Sequence, residues 1–376
     1  MTQKPAKMKQ QVQTFDTEPK ELKSFLKQIS RLLIALAMAL LIGITTALPA
    51  NANATVTFEN ANNVRLGITP TGWSNSDDLT IDTNPPIPYQ QILSEIALSG
   101  FEGTQGSPKF PSKEELKPEL DLRGLTISEP WVGTYFTLGD EGKRESERIF
   151  DDQIQFMKGF DSNIIVVAEL GGAVHQQPID PLKNRPSFNN DQWTKLIEGL
   201  NYLGGEASNQ NMQLVYHPHV GTGVETPADI DRLMNGATDF ELLLDTGHLY
   251  YAIAQNTSKT STEILADIQN LVTTYASHIK HVHLKNIRES VLRDSINNGW
   301  SFLDSIRAGV FTVPGDSEGV INFNPILKTL ADAKYEGWLI VEAEQDPNTT
   351  MGYDPSKTPL DYALMARDYL CEQTGL

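Results

Sequence analysis

Residues 213–223 read QLVYHPHVGTG. A short apolar run, Leu214 to Tyr216, feeds two histidines two positions apart and then a glycine-rich turn. The whole chain holds seven histidines, so two of them at the end of one run need a physical reason. An apolar run of this length bounded by a turn reads as a buried strand. Polar groups at its end are costly to bury unless they find partners.

Working outward, seven more runs share this shape. They are VRLGIT (64–69), FEGTQ (101–105), GLTIS (124–128), NIIVVAE (163–169), FELLLD (240–245), IKHVHLK (279–285) and GWLIVEAE (337–344), with MQLVYH (212–217) as the fifth in order. Amphipathic stretches lie between them, among them YQQILSEIALSG (89–100), ESERIFDDQIQFMKGF (145–160), NDQWTKLIEGLNYLGGEA (190–207), STEILADIQNLVTTYASHI (261–279) and FNPILKTLADAKYEG (323–337). Eight strand–helix units in one chain predict an α/β fold of the (β/α)8 TIM-barrel type. The strands are continuous apolar runs, as expected when both faces are covered. An open doubly wound sheet is the main rival, and the strand count favours the barrel. No linker interrupts residues 55–376, which read as one catalytic domain.

The first 54 residues differ. Lys20, Lys23, Lys27 and Arg31 precede LLIALAMALLIGITTAL, and PANANA then places Ala52 and Ala54 as a signal-peptidase site. The expectation is an exported protein, periplasmic or extracellular, with an uncleaved membrane anchor as the alternative. The leader carries a net +4 and the whole chain −18, so the remainder would carry −22. That balance argues against a phosphate-backbone partner, which lysine and arginine would have to neutralise. Cys371 is the only cysteine and cannot form an internal disulfide.

In a barrel of this kind the chemistry collects at the C-terminal ends of strands. Strand four ends in Glu169, strand five in His217 and His219, and strand six in Asp245 followed by TGHLYY. Strand seven carries His281, His283 and Lys285, and strand eight Glu342 and Glu344. Residues i and i+2 share a face of a strand. Imidazoles and carboxylates converging from neighbouring strands make an N/O site for a divalent metal such as Mn2+, Co2+, Fe2+ or Zn2+. Asp245 also reads as the N-cap of a turn or helix. His175 and His278 read as hydrogen-bonded core or rim residues. Trp73, Asn75 and Asp78 after strand one, and Glu129, Trp131 and Tyr135 after strand three, read as site walls. Asp316 and Glu318 lie in a loop that could reach the mouth or remain a solvated turn.

GITPTGWSNSDD, YHPHVGTGVET, LLLDTGHLYYA, IKHVHLKNIR, GVFTVPGD and GWLIVEAEQDP together resemble the inosose (2-keto-myo-inositol) dehydratases, a branch of the xylose-isomerase-like sugar isomerase and epimerase superfamily. The resemblance spans nearly all of residues 64–370. It implies a divalent metal, Mn2+ or Co2+ first, with Zn2+, Fe2+ or Mg2+ as alternatives. It implies Asp245, His283 and Glu342 as metal ligands. The superfamily's strand-five glutamate falls on His217, so the remaining ligand is His217, His219 or water. His248 matches a substrate-contacting position, and Asn286 stands where the superfamily usually has aspartate. The substrate contacts expected are Trp73, Asn75, Trp131, Glu169 and Tyr250.

The implied reaction is loss of water from a β-hydroxy ketone. The cation supplies Lewis-acid stabilisation of the enolate, while a base and an acid move protons. Glu344, Lys285, His219 and His248 are the proton-transfer candidates. The alternatives are a keto-sugar epimerase or isomerase, or an exported polyol-binding protein without catalysis. The expected partner is a small polyol ketone or keto-sugar rather than a nucleic acid, and a homo-oligomer is left open.

Overall fold

The computed structural model describes residues 55–348 and 356–376. The expected leader, 1–54, lies outside the described residues. Among the described residues, no helix is long and apolar enough to cross a membrane.

Nine parallel strands form the main sheet: β1 (Val64–Ile68), β2 (Gly103–Gln105), β3 (Thr126–Glu129), β4 (Trp131–Thr134), β5 (Ile164–Glu169), β6 (Gln213–Tyr216), β7 (Glu241–Asp245), β8 (Ile279–Leu284) and β11 (Gly337–Val341). Their order is β3-β2-β1-β11-β8-β7-β6-β5-β4. The two ends of that order, β3 and β4, are halves of one chain segment interrupted at Pro130. Proline has no N–H to give a ladder, yet its carbonyl accepts the Val166 N–H at 3.3 Å. The sheet therefore curls into a barrel of eight strand positions, as the sequence predicts. Helices connect the strands outside.

The inner and outer faces follow the two-residue alternation. Ile165, Val167, Leu214, Tyr216, Leu242 and Leu339 belong to the main core beneath the helices. Their alternates Ile164, Val166, Val215, Leu243, Trp338 and Ile340 form a separate apolar cluster inside the barrel. The next inward position on each of three strands is polar: His217 after Val215, Asp245 after Leu243, Glu342 after Ile340. The interior is thus apolar at its base and polar at its C-terminal end. Gly103 is required by this packing, because a Cβ there would lie 2.6 Å from the Trp338 ring.

Helix starts are encoded locally. Asn189, Thr226, Thr260 and Thr358 each cap a helix, and each is answered three residues later by Gln192, Asp229, Glu263 or Asp361 in a capping box. Several helices carry weaker signals than those read from the sequence, including Lys113–Asp121, which contains Pro118, and Glu289–Asn298. The stretch after Asp245 is a helix, Thr246–Ala254, capped by Asp245. A small antiparallel pair, β9 (Asn286–Ile287) and β10 (Phe311–Thr312), follows β8.

Candidate active site and metal centre

Register sets the site. Asp245 pairs with His283, and His283 pairs with Ile340, two residues before Glu342. The His217 backbone N–H continues the β6 ladder to the Val167 carbonyl at 2.8 Å. Four buried side chains, His217, Asp245, His283 and Glu342, consequently bring one ligand atom each within 4.8 Å of one another. His283 Nδ1 lies 2.9 Å from Glu342 Oε2 and 3.7 Å from Asp245 Oδ2, and His217 Nε2 lies 3.9 Å from the same Asp245 oxygen.

This donor set fits a divalent cation on two observations. Asp245 Oδ1 accepts the His248 N–H at 2.8 Å and caps the helix, while Oδ2 is buried without a hydrogen-bond partner. The cap and the candidate ligand are therefore two oxygens of one carboxylate. His217 Nδ1 faces the Pro218 carbonyl at 2.9 Å. A carbonyl only accepts, so Nδ1 carries the proton and Nε2 presents its lone pair to the cluster. Two imidazoles and two carboxylates suit first-row divalent ions.

Lys285 is fully buried beside this group. Its ammonium has three N–H bonds, and three acceptors meet them: Glu342 at 2.9 Å, Glu344 at 2.8 Å and His248 Nε2 at 2.8 Å. Burial alone would discharge it, but Asp245, Glu342 and Glu344 hold its pKa above the ordinary lysine value. It is a fixed cation and not a base. Burial likewise opposes ionisation of Glu342, yet Lys285 and His283 keep its pKa well below the usual carboxylate range. Glu344 goes the other way. Burial, with the negative charge of Glu342 added, raises it to about 8 against the pull of Lys285. Two carboxylates two residues apart thus hold different protonation states near neutral pH.

Burial lowers the pKa of His217 to about 4 and pushes His219 and His248 well below the ordinary imidazole value. For His283, Glu342, Asp245 and Glu129 outweigh burial and hold it well above that value. His219 donates Nδ1–H to the Val220 carbonyl at 2.8 Å, which leaves Nε2 unprotonated. His219, His248 and Glu344 form a second group of facing ligand atoms next to the first.

A cavity of about 420 Å3 opens onto these groups. His217, His219, Glu342 and Glu344 reach its lining, with Trp131, Asp77, Gln105 and Gln176 around them. No lysine or arginine lines it among the described residues.

Several sequence expectations are corrected. Trp73 is not a cavity wall. It is core, 1% exposed, and donates its indole N–H to Glu95 at 2.6 Å. Glu169 points away from the site and accepts from Thr134, Phe136, Thr137 and Gly171, so its oxygens are already saturated. Tyr250 turns its hydroxyl towards Ser261 and Glu289, and burial raises its pKa to about 12. Asn75 is buried behind Glu344, to which its amide donates at 3.4 Å. Asp316 and Glu318 both pair with Arg288 rather than reaching the mouth. Asn286 accepts the N–H groups of Ile287 and Ile321 and shapes a loop.

His278 is an exposed rim residue paired with Glu241 at 2.9 Å, as the sequence suggests. His175 is not peripheral. It is buried with both ring nitrogens unpartnered, 4.9 Å from the His219 ring and 3.7 Å from Asp77. Only its place in a loop after a strand end could have flagged it. Glu129 is no wall of the mouth either; it lies inside the barrel against His281 and His283 at 3.6 and 3.4 Å.

Comparisons with known proteins give the family and the fold. Residues 91–365 match the family described as the xylose isomerase-like TIM barrel. An inosose dehydratase of Clostridium botulinum (strain Alaska E43 / Type E3) is 40% identical over 322 residues, covering 84% of this chain and 99% of that protein. One of Klebsiella pneumoniae (strain 342) is 38% identical over 322 residues, covering 84% and 100%. Among solved structures, a xylose isomerase-like TIM barrel protein from Mycobacterium smegmatis in complex with magnesium superposes with a TM-score of 0.55 at 15% identity, over 82% of this chain and 96% of that one. The probable 3-DHS dehydratase of Bacillus anthracis gives the same score and identity over 81% and 98%. At that identity the two structures speak for the fold alone. The extent of the sequence match, together with the barrel and its strand-end polar residues, shows that the chain belongs to the inosose dehydratase family of xylose isomerase-like TIM barrels.

Proposed function

We propose that this hydro-lyase depends on a divalent metal, Mn2+ or Co2+ in the first place, and removes water from a cyclic polyol ketone such as 2-keto-myo-inositol. The observation that carries the reading is the His217, Asp245, His283 and Glu342 cluster at a cavity lined, among the described residues, by no lysine or arginine. A phosphorylated or carboxylated substrate would meet Asp77 in a lining that, among the described residues, offers no lysine or arginine to pair with it. A neutral polyol needs no such partner. The relatives' shared name, inosose dehydratase, supports the same substrate class.

His217, Asp245, His283 and Glu342 would hold the cation. When bound, it supplies Lewis-acid stabilisation of charge developing on the ketone oxygen. The remaining work falls to the chain's own groups. His219 presents an unprotonated Nε2 to the cavity and takes the proton alpha to the carbonyl. Glu344, protonated at neutral pH, gives its proton to the departing hydroxyl. Lys285 fixes Glu344 and His248 in place through its hydrogen bonds. The Trp131 ring faces the C–H side of the substrate, and Gln105, Gln176 and Asp77 meet its hydroxyls.

The test is an assay of the purified protein with 2-keto-myo-inositol and Mn2+. Loss of one water by mass and a new ultraviolet absorption from a dione are expected. Both should vanish on chelation and return with metal. An isomeric product of unchanged mass would mean an epimerase, and uptake without turnover would mean a binding protein. Export by residues 1–54 is a separate part of the proposal. Fractionation of tagged protein, with N-terminal sequencing of the mature form, checks it.

A further inference from the structure

We infer that Glu129 is a positioning residue for His283, accepting its Nε2–H so that Nδ1 is free to act as a metal ligand. The inference rests on the metal-site reading above.

The argument starts from the barrel's apolar base. Ile164, Val166, Val215, Leu243, Trp338 and Ile340 fill it. Among the described residues, two titratable side chains lie beside this layer, Glu129 at the end of β3 and His281 on β8, both with no exposure. An ionised carboxylate in such surroundings is strongly disfavoured unless it is paired. Glu169 shows how the fold satisfies a structural carboxylate, with two threonine hydroxyls and three backbone amides. Glu129 has none of these, and neither of its oxygens accepts a hydrogen bond of normal length. Its facing partners are ring nitrogens: Oε1 is 3.4 Å from His283 Nε2, and Oε2 is 3.6 Å from His281 Nε2.

His283 is therefore held between two carboxylate environments. Nδ1 faces Glu342 and Asp245, and Nε2 faces Glu129. A neutral imidazole has one N–H and one lone pair. To offer the lone pair at Nδ1, the ring must carry its proton on Nε2, and Glu129 is the acceptor placed there. A carboxylate behind a ligating histidine fixes the tautomer and raises the ring's basicity. His281, two residues back on the same strand face, faces the other Glu129 oxygen at 3.6 Å. The same three residues could be read as a second metal site, since their ligand atoms also lie within 4.8 Å. That reading needs His283 to give up both ring protons.

The experiment uses the full chain after chelator treatment, with Mn2+ as the probe in a competition titration. Wild type, Glu129→Gln and Glu169→Gln are compared. The expected result is one Mn2+ per wild-type chain, a Kd raised about 10–100-fold in Glu129→Gln, and an unchanged Kd in Glu169→Gln, whose carboxylate only holds a loop. Equal affinity in wild type and Glu129→Gln overturns the inference, and so does a wild-type stoichiometry of two that falls to one in Glu129→Gln. Failure of wild type to bind Mn2+ overturns the metal-site reading itself. If Glu129→Gln does not fold, 15N spectra of the Zn2+-loaded wild type decide the matter: an Nε2–H tautomer at His283 supports the inference and an Nδ1–H tautomer overturns it.

Discussion

Replacing Lys285 with methionine tests the electrostatic account of the site most directly. Methionine keeps much of the apolar stem and removes the charge. In the wild type the ammonium sits 2.8 Å from Glu344, 2.9 Å from Glu342 and 3.5 Å from Asp245, and all four groups are buried. Removing the one lysine leaves Asp245 and Glu342 facing each other's charge with only the His283 imidazolium between them. Breaking a buried ion pair from one side costs about 3–5 kcal/mol, because the remaining charge is stranded. Unfolding entropy of about 2.1 cal/mol/K per residue, over an ordered barrel of about 320 residues, gives roughly 0.7 kcal/mol/K. The metal-free variant should then melt about 4–7 °C below wild type in differential scanning fluorimetry. A dication held by His217, Asp245, His283 and Glu342 would replace the missing charge. Saturating Mn2+ should raise the variant's Tm by more than it raises that of wild type. Metal-free melting within 1–2 °C of wild type (~1 kcal/mol on the same scale), or identical Mn2+ shifts in the two proteins, would refute the reasoning.

Three further predictions follow from particular contacts. Asp245→Asn and Asp245→Ala should both abolish Mn2+ binding and turnover, but only the alanine loses the cap to the His248 N–H; urea titration should find it about 1 kcal/mol less stable than the asparagine variant. Trp131→Ala should raise KM with the fold intact, whereas Trp73→Ala, deep in the core, should cost about 3–5 kcal/mol in urea unfolding. Burial raises the pKa of Glu225 to about 8 in spite of Arg185 at 3.3 Å. The folded chain then keeps a proton that the unfolded chain releases above its ordinary value, so this group's contribution to stability falls as pH rises between about 4.5 and 8. Glu225→Gln should lack that component. The stability difference between wild type and variant should shift against wild type by on the order of 3 kcal/mol between pH 5 and 8.5 in denaturant titrations.

Much of the barrel is legible in local sequence. Runs such as NIIVVAE and FELLLD are continuously apolar in their middles, Ile164 to Ala168 and Leu242 to Leu244, because helices cover one face and the barrel interior the other. The strand observed at Ile164–Glu169 differs from the run read at 163–169 by one residue. The convergence of histidines and carboxylates follows from strand-end position and i, i+2 parity, while Asp245, His283 and Glu342 as the ligand set comes from the resemblance to the inosose dehydratases, which leaves His217 one of three choices. Parity and strand-end position do not say which side chain a neighbouring loop will claim. Glu169 ends its strand as Asp245 does, yet loop amides and threonines saturate it. Trp73 and Trp131 look alike as loop aromatics, and only packing sends one to the core and leaves the other at the cavity. Protonation states are tertiary as well: Glu342 and Glu344 are separated by one residue and Lys285 reaches both, yet burial and the charge of Glu342 raise Glu344, while Glu342 has His283 at 2.9 Å to add to the lysine's pull and is lowered. Sequence determined the periodicity and the chemical types at the strand ends, because those are local properties of the chain. The choice of which groups meet, and with which proton, was made by the barrel's closure, because burial and charge proximity exist only once distant strands are side by side.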